Sequence, residues 1–170
     1  MQIGFCEALF AKMKSEKWDV HDVESEIEQL RRFNFRPETF WERILEHTTA
    51  GFVSYALGIV NVGRPNLNHK TIADLCRQGV VNNIVTTNFE EYLDKVLPDS
   101  HQLIFDQQNK TSGKDQKIYF KIHGTSSDSD SLQFTLKHTK QLPDWKAKQL
   151  EHCLQDRPLI IVGYSGWDDD

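Results

Sequence analysis

Three short polar motifs follow three predicted strands, and their residue types suit the binding of a nucleotide. The motifs are Thr-Thr-Asn-Phe-Glu at 86–90, Lys-Ile-His-Gly at 121–124 and Gly-Tyr-Ser-Gly-Trp-Asp at 163–168, after apolar runs at 83–85, 118–120 and 159–162. In an open α/β sheet the carboxyl ends of parallel strands line one crevice, so polar residues after three strands can meet around one ligand. The sequence therefore predicts a nucleotide site at that edge of a sheet.

The order of these motifs resembles the sirtuin-like family, in the branch found in bacterial antiviral defence proteins. The resemblance extends from about Asn66 to the C-terminus and is carried by the three motifs in combination. It implies an α/β fold with a doubly wound, mainly parallel, Rossmann-like sheet. It also implies that the domain hydrolyses NAD to nicotinamide and ADP-ribose, as an effector of antiphage defence.

Two residues are predicted from this resemblance to be catalytic. His123 matches the catalytic histidine of the family, and an imidazole suits a general base at neutral pH. Asn88 carries an amide donor and acceptor that could hold a ribose hydroxyl or a water. Cleavage of the nicotinamide bond depends mainly on positioning, and a general base contributes about 100-fold or more. Alone, a His-Gly pair would indicate a surface turn, and Asn88 could equally be a helix N-cap.

The residues expected to contact NAD are those at the matching motif positions. They are Thr86, Thr87, Asn88, Glu90, Gly124, Gly163, Ser165 and Asp168. Thr87 and Glu90 stand where classical sirtuins have Gln and Asp, so the nicotinamide contacts of those enzymes do not transfer directly. Glu90 could instead favour the positive end of a helix, and Gly163 could serve only a tight turn. His69 is interpreted as a helix-surface or capping residue.

Composition indicates an ordinary globular domain of 170 residues, with 38% hydrophobic residues and a formal charge of -5. The negative charge argues against direct nucleic-acid binding. Three widely separated cysteines fit reduced thiols in the cytoplasm. Deacylating sirtuins usually carry a zinc ribbon of paired Cys-x-x-Cys motifs, and this sequence has no such pair, so the resemblance implies a domain without the ribbon, which argues against protein deacylation. The acidic run at 168–170 is expected to be solvated, so no metal is predicted. No run approaches the ~20 apolar residues of a membrane span.

Apolar periodicity predicts the remaining elements. Helices are expected at 19–33, from Pro37 through 45, at 52–60, from Asn66 or Asn68 to a stop at Gly79, from 89 to Pro98 and at 145–154; strands are expected at 83–85, 102–105, 117–122 and 159–162. Residues 1–65 are predicted to be a helical segment of the same domain as the nucleotide-binding core at 66–170.

The sequence lacks the Gly-Ala-Gly-x-Ser loop that holds the dinucleotide phosphates in sirtuin-like domains. We therefore expect a core truncated at both ends from a longer protein, although a member that has lost phosphate binding is the alternative. NAD as substrate, a second copy of the chain, and a fused or associated defence sensor are the expected partners. Two other functions stay open: a non-catalytic domain that senses NAD or ADP-ribose or oligomerises, and an NAD-dependent protein deacylase.

Overall fold

The computed structural model describes residues 50–109, 116–133, 142–155 and 157–163, with a few further positions between 11 and 25. The chain divides into two compact units, one of residues 1–62 with 134–136 and the other of 63–133 with 137–170. The helices predicted at 19–33 and 37–45 lie outside the described residues. The division of the chain at residue 65 into a helical segment and a core stays a prediction.

Helix α1, Ala50–Val60, lies in the first unit. It ends where the Val62 amide donates to the Ile59 carbonyl, at 3.2 Å. Ala56 and Leu57 are fully buried, as a helix with apolar residues on most sides requires. The helix predicted at 52–60 is therefore confirmed.

Helix α2, Leu67–Arg77, opens the second unit, and its ends are set by local sequence. The Asn66 side chain accepts a hydrogen bond from the His69 amide at 3.2 Å, which satisfies a first-turn donor. Gly79 ends the helix in the left-handed region at φ +74°. Both the Asn66 cap and the Gly79 stop were predicted, and the interpretation of His69 as a capping residue is also confirmed.

Three parallel strands form the sheet of the second unit. They are β1, Asn83–Thr86, β2, His101–Ile104, and β3, Lys117–Lys121, in the order β1-β3-β2. Helix α3, Asp144–Leu154, follows. A parallel sheet preceded by α2 and followed by α3 is the α/β, Rossmann-like arrangement that the sequence predicts. The positions of these three strands and of α3 agree with prediction within about two residues.

The two faces of β3 carry different side chains because residues alternate along a strand. Ile118 and Phe120 are fully buried with Cys153 of α3, and the Phe120 ring lies 6.2 Å from that of Trp145. Tyr119 and Lys121 point to the other face, where both bond the Asp94 carboxylate. Helix α3 thus covers one face of the sheet and the segment around Asp94 covers the other.

Within the described part of the chain, no helix is long and apolar enough to cross a membrane.

The strand predicted at 159–162 is not formed. Its four apolar side chains, Leu159, Ile160, Ile161 and Val162, are between 63% and 77% exposed, and the segment has no regular secondary structure. A β-branched run becomes a strand only where a neighbouring strand bonds its backbone and a packed face covers its side chains. The composition of this run is typical of a strand, but among the described residues no strand bonds its backbone.

The helix predicted from 89 to Pro98 is also wrong, because the segment is a series of turns. Two helical i to i−4 bonds occur in the second half of the segment, from the Lys95 amide to the Glu91 carbonyl and from the Leu97 amide to the Leu93 carbonyl. Two carbonyls at its start are taken by a neighbouring loop and strand: Phe89 accepts from the Ser126 amide at 2.8 Å, and Glu90 accepts from the Lys121 ammonium at 2.8 Å. These tertiary bonds replace the first helical ones.

Candidate functional site

The carboxyl ends of β1 and β3 lie side by side, so the first two polar motifs are neighbours. Thr86 is in register with Lys121. The Ile122 amide continues the ladder by donating to the Thr86 carbonyl at 3.0 Å. The loops at 86–90 and 121–124 therefore leave adjacent strands at the same edge of the sheet, as the sequence predicts.

The loop after β1 presents short polar side chains to solvent. The Thr86 hydroxyl accepts from the Asn88 amide at 3.1 Å, which fixes the turn. Thr87 and Asn88 are exposed. The Asn88 side-chain amide donates to Glu90 Oε1 at 3.4 Å, and no regular helix begins behind it, so the interpretation of Asn88 as a helix N-cap does not hold. The threonine hydroxyls and the Asn88 amide of this loop are groups that can hydrogen-bond a sugar.

Glu90 is tied to its surroundings rather than to a helix dipole. Its Oε2 accepts from the Tyr92 amide at 2.6 Å, and its Oε1 lies 3.9 Å from His69 Nε2. His69 Nδ1 accepts from the Asn66 amide at 3.1 Å, so a neutral His69 ring carries its proton on Nε2, toward Glu90. The contact between His69 and Glu90 was missed by sequence reasoning, because the Asn-x-x-His cap signals only the local bond.

The loop after β3 needs glycine at position 124. Gly124 has φ +88°, and a Cβ there would collide with the Ser131 carbonyl. The preceding residue, His123, is half-buried, and its carbonyl accepts from the Gln133 amide at 2.9 Å. Gly124 thus lets the loop fold back closely on 131–133 while His123 stays partly open to solvent.

Buried Lys121 bonds to residues of both loops, that after β1 and that after β3. Lys121 is fully buried, and its ammonium donates to the Glu90 carbonyl, to Asp94 Oδ2 at 3.0 Å and to the Thr125 hydroxyl at 3.2 Å. The Tyr119 hydroxyl donates to the same Asp94 oxygen at 3.1 Å. Burial, followed by the Asp94 charge, raises the pKa of Tyr119, so it remains a neutral donor. A lysine that directly follows the apolar centre of a strand was the available signal for this network.

The third predicted motif is only partly described. Gly163 adopts φ +70°, which agrees with the turn expected there. No heavy atom lies within 4 Å of a Cβ built at Gly163, and the run before it forms no strand, so its predicted contact with NAD stays a prediction. Ser165 and Asp168 lie outside the described residues, and their predicted contacts with NAD stay predictions.

Other reactive side chains do not form a second site in the described chain. Cys76 and Cys153 are buried free thiols, and burial raises the pKa of each, which makes them poor nucleophiles. Over the described residues, no three His, Cys, Asp or Glu side chains lie together in a way that could hold a metal ion. The chemistry of this edge rests on hydroxyl, amide and imidazole groups.

Comparison with protein families finds a match over the second half of the chain. The model of the SIR2-like domain matches residues 82–170, a range that contains all three motifs and more than half of the chain. No curated protein and no solved structure matches the chain. The match begins one residue before β1, so both loops of the candidate site lie within it.

Proposed function

The chain belongs to the SIR2-like domain family, whose domains generally use NAD as a substrate, and from this membership we propose that it is an NAD glycohydrolase. In this reaction the bond between nicotinamide and ribose breaks, and the products are nicotinamide and ADP-ribose. The observation that supports the proposal is the adjacency of the loop with Asn88 and the loop with His123, joined by the bond from Ile122 to Thr86.

The two loops offer the groups that this reaction needs. Water attacks the anomeric carbon of the ribose, the electron pair of the glycosidic bond goes to the nicotinamide nitrogen, and nicotinamide leaves as a neutral molecule. His123 accepts the proton from the attacking water, directly or through a ribose hydroxyl. Asn88 orients the water or the hydroxyl through its amide, and exposed Thr87 lies next to it at the same edge.

The wider setting of the activity follows from the resemblance to the defence branch of the family. We propose that the hydrolase acts in the cytoplasm as an effector of antiphage defence, and that a second copy or an associated sensor regulates it. Unregulated hydrolysis of a central cofactor would be toxic to the cell, so such control is expected.

The first test measures nicotinamide release from NAD by chromatography, with the wild-type chain, His123→Ala and His152→Ala. His152 is a partly buried histidine on α3 and serves as the matched control. We expect His123→Ala to lower turnover by about 100-fold or more, because it removes the base, while His152→Ala stays near wild type. Calorimetry with NAD, run on the same three proteins, checks that binding is retained.

Three outcomes would contradict the proposal. Turnover that is equal in wild type and His123→Ala would remove His123 from the reaction. Binding of NAD by the wild-type chain without release of nicotinamide would instead support the sensing domain that the sequence leaves open. Release that requires an acyl-lysine peptide would support the deacylase.

A further inference from the structure

Lys146 of α3 is a buried cation whose described partners are neutral. Its side chain is 1% exposed. The ammonium donates to the Ile122 carbonyl and to Gln133 Oε1, the latter at 2.9 Å, and lies 5.4 Å from the centre of the Trp145 ring. The ion pairs formed between described residues do not include it. Lys121, in contrast, is buried against the Asp94 carboxylate.

Burying an ammonium without a carboxylate is unfavourable, so packing alone does not account for Lys146. An apolar side chain would fill the same volume against the sheet at lower cost. A buried polar group that persists is expected to hold its partners in one arrangement. The question is therefore what the two acceptors of Lys146 hold in place.

Both acceptors are attached to the backbone of His123. The Ile122 carbonyl belongs to the peptide bond that ends at the His123 nitrogen. On the other side, the Gln133 amide donates to the His123 carbonyl at 2.9 Å while its side chain accepts from Lys146. Lys146, Ile122, His123 and Gln133 thus form a closed ring of bonds that fixes the backbone of His123 on both sides.

We propose that Lys146 is a positioning residue that holds His123 in the orientation required for cleavage of NAD. This inference rests on the proposed function for its catalytic meaning. The ring itself is independent of that function. Lys146 restrains the peptide bond before His123 through the Ile122 carbonyl. It also holds the side chain of Gln133, whose amide donates to the His123 carbonyl.

The kinetic test compares Lys146→Met with Lys148→Met, a matched control on the exposed side of the same helix. Met keeps an unbranched apolar chain and removes the donors. We expect Lys146→Met to lower kcat by about 10-fold to 100-fold, because small displacements of a catalytic group have effects of this size, with KM for NAD changed by less than about 3-fold. Lys148→Met should match wild type in both constants.

Gln133 variants separate positioning from packing. Gln133→Leu removes the acceptor and should lower kcat as Lys146→Met does, whereas Gln133→Glu keeps an acceptor and should remain near wild type. Because the residues act through one ring, the double variant Lys146→Met with Gln133→Leu should be about as slow as the slower single variant. Full additivity of the two effects would overturn the ring as a unit.

Hydrogen exchange supplies a readout that does not depend on turnover. In Lys146→Met we expect the amides of 122–124 and 133 to exchange about 10-fold faster, while those of β2 keep the wild-type rate. If wild type does not cleave NAD, the proposed function fails and this arm still decides whether the ring exists. If Lys146→Met does not fold, the kinetic and the hydrogen-exchange measurements are both made on Gln133→Leu. Unchanged exchange at 122–124, or wild-type kcat in the variants, would overturn the inference.

Discussion

At the scale of single residues, Gly124 combines two demands that usually occur separately. Its φ of +88° favours glycine, and the Ser131 carbonyl occupies the space of a Cβ. Gly79 has nearly the same φ, +74°, with open space around it. The pair therefore allows backbone strain to be measured apart from steric overlap.

We expect Gly124→Ala to lower the free energy of unfolding by roughly 2 to 4 kcal/mol, and Gly79→Ala by roughly 1 kcal/mol. The larger loss arises because the overlap at Gly124 is with backbone, which moves less easily than a side chain. Urea denaturation of the two variants and wild type measures both values. Equal losses would mean that the loop at 131 moves away at little cost.

Lys146 gives the protein a stability that depends on pH. Burial lowers the pKa of Lys146 from 10.5 to about 8 in the folded chain. Between these values the unfolded chain binds more protons than the folded chain, so the contribution of Lys146 to stability increases as pH rises from 8 to 10.5.

The matched comparison is with Lys146→Met, which lacks this titration. The difference in unfolding free energy between wild type and variant should shift in favour of wild type by up to roughly 3 kcal/mol from pH 7 to pH 10.5. Urea denaturation at several pH values measures it, and subtraction of the variant cancels the other groups that titrate there. A difference that stays constant with pH would show that the folded and unfolded pKa values are the same.

At the scale of elements, the end of β3 is held to the segment 90–94 by Lys121. We expect Lys121→Met to lower the free energy of unfolding by roughly 2 to 4 kcal/mol, because it removes the ammonium that pairs with the Asp94 carboxylate and donates to the Glu90 carbonyl. Lys117→Met, at the opposite end of the same strand and only half-buried, should cost less than about 1 kcal/mol.

The same variant tests whether Lys121 supports the loops or only the sheet. The two amides to follow in hydrogen exchange are Ser126, which donates to Phe89, and Ile122, which donates to Thr86. Both should exchange faster in Lys121→Met than in Lys117→Met. A larger stability loss in Lys117→Met would contradict the assignment of Lys121 as the main link at this edge.

Elements whose signals are local were predictable. The N-terminus of α2 was indicated by Asn66 and its end by Gly79. Each end is held by a bond between residues three positions apart, from the His69 amide to Asn66 and from the Gly79 amide to the Cys76 carbonyl. The segment from 89 carried an equally good helical pattern. It failed because Ser126 and Lys121, more than 30 residues away in sequence, take the first two carbonyls. No local pattern contains that information.

At the scale of the whole molecule, the meeting of the loops after β1 and β3 was predictable from the sequence. The buried polar contacts that hold these loops were not. Strands at 83–85 and 117–122 were predicted from their β-branched and apolar residues, close to the observed bounds. The rule that the carboxyl ends of parallel strands line one crevice predicted that the loops of Asn88 and His123 lie together. The bond from Lys146 to the Ile122 carbonyl joins a helix to a strand end across 24 residues, and a lysine between Trp145 and Ala147 reads as an ordinary helical residue. Tertiary contacts of polar side chains leave no periodic signal.

The exposed apolar run at 159–162 also decides how the protein should be handled. Four consecutive side chains with high β-propensity, without a charge among them, form the type of segment that pairs with the same segment of another molecule. Concentrating the purified chain would favour such aggregation. A lysine at Ile160, the most exposed of the four, would act as a gatekeeper residue and keep the preparation monodisperse without touching either loop of the site.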